Sequence, residues 1–398
     1  RLEVSELSAG SIEILRAPLS DPRSPTPESV PFALPDLPVS INVGELRADR
    51  IVLGQQLIGQ EVVLRLDSTG SLAGGEGNVS LTAQRIDGIE GRFAFAGGFS
   101  NLSRVLSVDL DLSEGPGGIA ATLLNLPDDP SLDLAIRGTA PIDAYDSTLT
   151  LASDGVERVT GRFQLGTTPG PENGSERAFM LTLDGDVTPL IAPEYREFFG
   201  PDVALSLTGR SAEDGTLDLP EFRITAQAVR LSGSGSFTPG GWPQQFHLTG
   251  DLGLADGSPV RLPVSGNPMA VRTMALDVGF DAGQDDGWTA SFDMTDLVGS
   301  GYRIPSLVLN GGGSIRPADG DTPGAFTIDL TYAATGLALD DPAFAQAIGD
   351  SVQGQIVASR SDGGPLALTR LTVDGPGLTA ALGGSIGSAA DALPYDLT

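Results

Sequence analysis

Residues 179–186, "FMLTLDGD", place Phe179, Leu181 and Leu183 at every second position, with more polar residues between them. Successive side chains of a β-strand point to opposite faces, so this stretch predicts a strand with one apolar face and one polar face. The same alternation recurs in "FTIDLTY" (326–332) and over most of the chain after the first forty residues. The pattern predicts an all-β fold.

Asp-Gly pairs punctuate the alternating segments. This pair tolerates the positive φ angles of tight hairpin turns, so it predicts strands that pair antiparallel with their neighbours in sequence. An antiparallel sheet can leave one face in water, and the chain offers few helices to cover a second face. The pairs begin at Asp87, Asp154, Asp184, Asp214, Asp256, Asp286, Asp319, Asp362 and Asp374.

A Gly-x-Ser-x-Gly motif in "ALGGSIGS" (381–388) has the spacing of a hydrolase nucleophile elbow around Ser385. The tripeptide Gly384-Ser385-Ile386 has four earlier equivalents, which begin at Gly91, Gly161, Gly235 and Gly313, at intervals of 70, 74, 78 and 71 residues. Two of these copies carry Arg in the serine position. A nucleophile has no reason to recur in this way, so the motif predicts a repeated strand in which glycine allows a bend or a close backbone approach.

A longer repeat has an offset of 149 residues and aligns 179–237 with 328–386 without a gap. Within it, "APEYREFFG" (192–200) and "DPAFAQAIG" (341–349) each combine an early proline with a final glycine, which predicts a short helix. The chain is interpreted as one elongated repetitive segment of a longer protein, with approximate units 39–105, 106–178, 179–245, 246–325 and 326–398.

Residues 18–38 contain seven prolines. Proline fixes φ and lacks a backbone donor, so this stretch is excluded from a sheet interior. We interpret it as an extended segment that crosses the fold.

The net charge of −29 and the absence of cysteine exclude several functions. An acidic surface repels phosphate, so no nucleic-acid partner is expected. The one histidine, His247, lies on the polar side of its strand, and the carboxylate pairs Asp109/Asp111, Asp184/Asp186 and Asp319/Asp321 are interpreted as solvated rather than as calcium ligands. No catalytic residue, metal site or cofactor is predicted, and the chain is not expected to be an enzyme.

The alternating segments also predict which residues face inward. Aromatic residues make up only 6% of the chain, so few large side chains are available to fill a core. An apolar sheet face of this length needs either a second sheet against it or a curvature that folds the sheet around a ligand. The predicted lining residues are Phe179, Leu181, Leu183, Leu205, Leu207, Phe222, Ile224, Phe246, Leu248, Leu307, Leu309, Phe326, Ile328, Leu330, Leu371 and Val373.

Three stretches resemble the TamB family, the inner-membrane subunit of the translocation and assembly module, within the AsmA-like and bridge-like lipid-transfer proteins. They are "RLEVSELSAGSIEILRAP" (1–18), "LPDLPVSINVGELRADRIVLG" (34–54) and the segment from Leu190 to Phe237. The resemblance implies an elongated, repeating β-groove, which is a curved antiparallel sheet with a hydrophobic interior and a few short helices. This groove would form a periplasmic bridge of a Gram-negative bacterium, anchored in the inner membrane by a segment absent here. It also implies phospholipid acyl chains as cargo and an Omp85-type, TamA-like outer-membrane partner, bound through regions outside this sequence.

Two functions therefore remain open. The first is conduction of phospholipids between the two membranes along a hydrophobic groove. The alternative is a structural or interaction module with a closed core, such as an adhesin-like stalk or a chaperone-like assembly factor, in which the same apolar residues pack sheet on sheet.

Overall fold

The computed structural model describes residues 2–16, 32–169, 175–212, 214–264, 266–284, 286–317, 324–361, 364, 366–386 and 395–397. Strands account for 64% of the chain and helices for 7%. The predicted fold class, all-β with a curved antiparallel sheet and a few short helices, is confirmed. Among the described residues, no helix combines the length and the apolar character needed to cross a bilayer.

The chain divides into two compact units, of which the first comprises Arg1–Arg196 and Pro201–Gly215. Three short strands pair in parallel with β4 at one edge, and β4 to β13 then form an antiparallel meander in which each strand pairs with the next. The strands are β1 (Leu2–Val4), β2 (Leu7–Ala9), β3 (Ile12–Ile14), β4 (Ile41–Leu53), β5 (Val62–Ala73), β6 (Glu76–Arg85), β7 (Gly91–Ser100), β8 (Val105–Glu114), β9 (Leu132–Pro141), β10 (Ala144–Ser153), β11 (Val156–Pro169), β12 (Ser175–Gly185) and β13 (Val203–Ser211).

The second unit comprises Glu197–Gly200 and Thr216–Thr398 and is also an antiparallel meander. Two short inserts interrupt it: β17 and β18 form a small hairpin whose second strand pairs with β20, and β23 pairs with β21. The strands are β14 (Leu217–Thr225), β15 (Val229–Phe237), β16 (Pro243–Gly253), β17 (Val260–Arg261), β18 (Ala270–Val271), β19 (Thr273–Asp281), β20 (Gly287–Gly299), β21 (Tyr302–Arg316), β22 (Ala325–Thr335), β23 (Ala338–Leu339), β24 (Ser351–Ser361), β25 (Leu366–Asp374), β26 (Thr379–Ile386) and β27 (Tyr395–Leu397).

The helices are short, and two of them lie where the repeat predicts. The α-helices are α1 (Gln55–Ile58), α2 (Ile119–Leu123), α3 (Arg196–Phe199) and α4 (Pro342–Ile348), with 3-10 turns at Thr188–Leu190 and Pro193–Tyr195. The second 3-10 turn and α3 together cover "PEYREFF", and α4 covers the equivalent "PAFAQAI". The helical segment therefore begins at the predicted proline in both copies, as a 3-10 turn at Pro193 that precedes α3 and as α4 itself at Pro342.

The repeat of 149 residues extends to the details of strand pairing. β14 and β25 have the same bounds after this shift. The register between β14 and β15 shifts between Leu219 and Phe222, and that between β25 and β26 shifts between Leu368 and Leu371, which are the equivalent positions. Pro220 falls inside the first irregularity, where a strand tolerates a residue that cannot donate a hydrogen bond.

The five copies of the glycine tripeptide all lie within strands, in β7, β11, β15, β21 and β26. Ser385 is paired with Ala367 on one side and Asp396 on the other, so it is not at the strand-to-helix turn of a nucleophile elbow. At Gly313 a Cβ atom would lie 1.8 Å from the carbonyl oxygen of Thr327. Here glycine permits the predicted close approach.

The Asp-Gly predictions have mixed outcomes. Asp154 and Gly155 have φ angles of 50° and 72° and join β10 to β11, as expected for a tight hairpin. The prediction is wrong at Asp184-Gly185, because both residues belong to β12 and Gly185 pairs with Val159 and Val203. The pairs at 319–320 and 362–363 lie outside the described residues, as does most of the proline-rich segment.

Candidate functional site: an uncovered apolar face

Strand register in the first unit aligns apolar residues into rows that run across the sheet. Directly opposite residues of an antiparallel pair project from the same face. From β6 to β13 the pairing defines a first apolar row of Leu81, Phe95, Leu110, Ile136, Leu149, Gly161, Leu183 and Leu205. At about 4.8 Å per strand, this row spans roughly 34 Å.

The apolar rows are incompletely buried. All eight residues of the first apolar row are half-buried. In the adjacent row, Val79 is 41% exposed and Phe163 is 37% exposed. A second sheet packed about 10 Å away would remove such side chains from water. Among the described residues, no second sheet therefore covers the first apolar row.

The sixteen predicted lining residues all lie on strands and on the apolar side of their sheets. Five are on β12 and β13 of the first unit, and eleven are on β14, β16, β21, β22 and β25 of the second. None of the sixteen is buried: Phe326 is 37% exposed and the other fifteen are half-buried. The structure thus brings each set together on one surface. Their role as a lipid lining stays a prediction.

The second unit concentrates aromatic residues on its apolar face. Phe246, Phe280 and Trp288 are directly opposite one another on β16, β19 and β20. The rings of Phe246 and Phe280 stack with centroids 5.6 Å apart, and Trp288 stacks on Phe326 at 5.5 Å. The indole Nε1 of Trp288 donates a 2.9 Å hydrogen bond to the carbonyl oxygen of Thr327. Phe280 and Trp288 are therefore buried, unlike the half-buried residues of the first apolar row.

Several rings lie against glycines of the neighbouring strand. A Cβ atom at Gly209 would come within 2.1 Å of the Phe179 ring, and one at Gly233 within 2.6 Å of the Phe222 ring. An aromatic ring that leans over a cross-strand glycine shields the exposed backbone. The glycines therefore let large rings lie low on the sheet, which keeps the apolar surface shallow and continuous.

The opposite face of the first unit carries the charges. Arg137 on β9 places Nη1 2.9 Å from Asp109 Oδ1 and Nη2 2.6 Å from Asp111 Oδ1, both on β8. The hydrogen bond to Asp111 is the largest of the effects that raise the pKa of Arg137. Arg162 instead donates from Nε and Nη2 to the two carboxylate oxygens of Asp146, and this hydrogen bonding lowers the pKa of that carboxyl. The predicted polar face is thus a surface of ion pairs.

His247 has the position expected of a polar-face residue. Its Nε2 atom lies 3.0 Å from Asp277 Oδ1, and both side chains are exposed. The strand positions on either side are the apolar residues Phe246 and Leu248. His247 is therefore turned away from the apolar surface.

The sequence prediction omitted residues that belong to the apolar face. These include Phe93 and Phe95 on β7, Phe280 on β19 and Trp288 and Phe292 on β20. The stretches "RFAFAGGF" (92–99) and "WTASFDM" (288–294) carry the same alternation as the strands that hold the predicted lining residues. Their periodicity was sufficient to identify them.

Comparisons with known proteins leave the family open. The chain matches no protein-family model. It matches no curated protein. It matches no solved structure either.

Proposed function

We propose that this chain binds lipid acyl chains on its uncovered apolar face and conducts phospholipids along it. The observation that carries the proposal is the half-buried state of all eight residues in the first apolar row. Large continuous apolar surfaces are uncommon on soluble proteins and mark binding sites when they occur. A closed-core module would bury these side chains, so the exposure favours a binding surface over the structural alternative.

The energetics suit a ligand that is held and then released. An acyl chain that removes ten methylene groups from water gains about 8 kcal/mol. Association costs on the order of 4–15 kcal/mol in lost freedom. The gain lies within the range of the cost, so the net affinity for one acyl chain is modest. Rows built from similar aliphatic residues also offer neighbouring positions of similar energy. A ligand can then move across the strands without a covalent step.

The two faces of the sheet in the first unit differ in charge. The net charge is −29. In the first unit, the ion pairs of Arg137 and Arg162 lie on the face opposite the apolar one. An acidic exterior repels anionic surfaces and keeps the protein soluble. We propose that the chain is a TamB-like periplasmic bridge segment that works with an Omp85-type outer-membrane protein. The resemblance of the sequence supports this assignment.

Site-specific photocrosslinking tests lipid binding with a matched control on one strand. The crosslinking residue p-benzoylphenylalanine replaces Leu181 or Leu183 on the apolar face, or Met180 or Thr182 on the opposite face. After irradiation with the protein's co-purified lipids and added phospholipid, we expect lipid adducts by mass spectrometry at positions 181 and 183. We expect none at positions 180 and 182.

Met180 makes the control strict, because its side chain is 41% exposed and exposure alone would allow a collision with lipid. Equal adduct yields at positions 180 and 181 would contradict a face-specific site. If none of the four positions gives a lipid adduct, the result favours the alternative function, a structural or interaction module.

A further inference from the structure

An extended segment of the chain itself lies on the apolar face of the first unit. The backbone N–H of Leu34 donates to Asn101 Oδ1 at 2.8 Å, and Asn101 Nδ2 donates to the carbonyl oxygen of Leu34 at 2.8 Å. Pro35 follows, and a residue that precedes proline favours the extended region. The side-chain amide of Asn101 thus pairs with Leu34 as a neighbouring strand would.

The Asn101 amide is itself held in place by a turn. The N–H of Asn101 donates to the carbonyl oxygen of Gly75 at 2.9 Å. Gly75 has a φ of 73°, and a Cβ atom there would come 2.7 Å from Asn101 Nδ2. Glycine is therefore required beneath the amide, and the clamp is preorganised.

The clamp directs two apolar side chains onto the sheet. A Cβ atom at Gly77 would meet the Leu34 side chain at 2.7 Å, so Leu34 lies directly over β6. The Phe32 ring packs edge-on against Phe99 with centroids 4.9 Å apart. Gly77 on β6 is directly opposite Phe99 on β7, and Phe99 is directly opposite Leu106 on β8. Phe32 and Leu34, which we call the strap, therefore occupy an end of the apolar face.

The strap changes the exposure of the residues beneath it. Phe99 is only 6% exposed, whereas Phe95, four residues earlier on β7 and on the same side of the sheet, is half-buried. The strap itself is loosely covered, since Phe32 remains 49% exposed. Phe99 is thus shielded by a segment that leaves much of its own apolar surface in water.

We propose that the strap competes with acyl chains for the Phe99 end of the apolar face, and so gates entry of ligand at that end. This inference rests on the proposed function. A bound chain and the strap would cover the same side chains, so each excludes the other. By linkage, a ligand that binds only the open form must also displace the strap.

The test places p-benzoylphenylalanine at Leu106, which lies beside Phe99, or at the remote Leu181, and uses palmitate as the probe. Two variants open the gate: Asn101→Ala, which removes both hydrogen bonds, and Phe32→Ala with Leu34→Ala, which removes the apolar contacts. Loss of two hydrogen bonds should raise the palmitate yield at position 106 about tenfold. The yield at position 181 should be unchanged, and Leu102→Ala, in the same turn and 93% exposed, should change neither yield.

Hydrogen exchange gives a second readout on the unaltered chain, in which palmitate should accelerate exchange of the Leu34 amide. An unchanged yield at position 106 in both gate variants overturns the gate, whatever happens at position 181. Loss of adducts at position 181 in the unaltered background counts against the proposed function instead. The two failures are therefore distinguishable.

Discussion

The helices α3 and α4 occupy equivalent positions in the two copies of the 149-residue repeat, but they are held in different ways. In α3, Phe198 is 5% exposed and packs with Ala228, Leu254 and Val260. In α4 no residue is buried, and Phe344 is 60% exposed. The repeat thus fixes where a helix forms without fixing how it packs.

Two features account for the difference. The position of Phe198 is taken by Ala347 in the second copy, so α4 has no large side chain at that position. The cover over α3 comes from Leu254 and Val260, which follow β16. In place of packing, α4 has a local cap: Asp341 Oδ1 accepts hydrogen bonds from the N–H groups of Ala343 at 2.8 Å and Phe344 at 3.2 Å. Tertiary packing stabilises α3, and capping stabilises α4.

The largest expected effect is that of Phe198→Ala. Removing a buried phenylalanine costs about 3–5 kcal/mol of unfolding free energy. Both tryptophans, Trp242 and Trp288, belong to the second unit, so their fluorescence in a urea titration reports its unfolding. The matched variant Phe344→Ala should change the free energy by less than about 0.5 kcal/mol, as usual for surface sites. Similar losses in both variants would contradict the comparison.

Val260→Ala tests the cover rather than the helix. Val260 is 1% exposed, and loss of two methyl groups with the cavity left behind should cost about 2 kcal/mol. The same urea titration measures it. Because Val260 and Phe198 belong to one buried cluster, the double variant should lose less than the sum of the two single variants. Strict additivity would mean that the cover and α3 are independent.

Asp341→Ala should remove the cap of α4 at a cost of about 1 kcal/mol. The control is Asp340→Ala, an exposed neighbour that makes no cap. Amide hydrogen exchange at Ala343 and Phe344 measures the effect locally, and both should exchange faster in the cap variant alone. If α4 is insensitive to Asp341, some contact other than the cap holds it.

Acid should weaken the cover of α3. Hydrogen bonds from Arg303 and then Arg272 lower the pKa of Asp296, and Arg272 Nη1 also donates to the carbonyl oxygen of Gly257 beside the cover. A lowered pKa stabilises the fold above the unfolded value of about 3.9, and this stability is lost as pH falls through the folded pKa.

The size of the acid effect should be smaller than that of the cap, because both arginine side chains are exposed to water. Urea midpoints of the unaltered chain and Asp296→Asn, measured from pH 6 downward, should converge below about pH 4. A constant difference across that range would exclude Asp296 as the titrating group.

Much of the apolar face could be predicted from periodicity alone. Alternation places Leu181 and Leu183 on one side and Met180 and Thr182 on the other, because the side-chain period of a strand is two. The repeat likewise predicts the helical segments that contain α3 and α4, whereas the matched irregularities near Phe222 and Leu371 emerge only from the strand pairing. The turn prediction at Asp184-Gly185 is wrong, since a turn dipeptide can also end a strand when both of its residues are paired.

The sequence by itself determined the all-β class, the face to which each strand residue points and the positions of the repeated helices, because these depend on local periodicity and backbone propensity. Only the tertiary structure decided what lies over each face. It buries Phe198, leaves Phe344 in water and sets Phe32 and Leu34 on Phe99 and Gly77. Coverage depends on residues distant in the chain, and no local pattern encodes which segments meet.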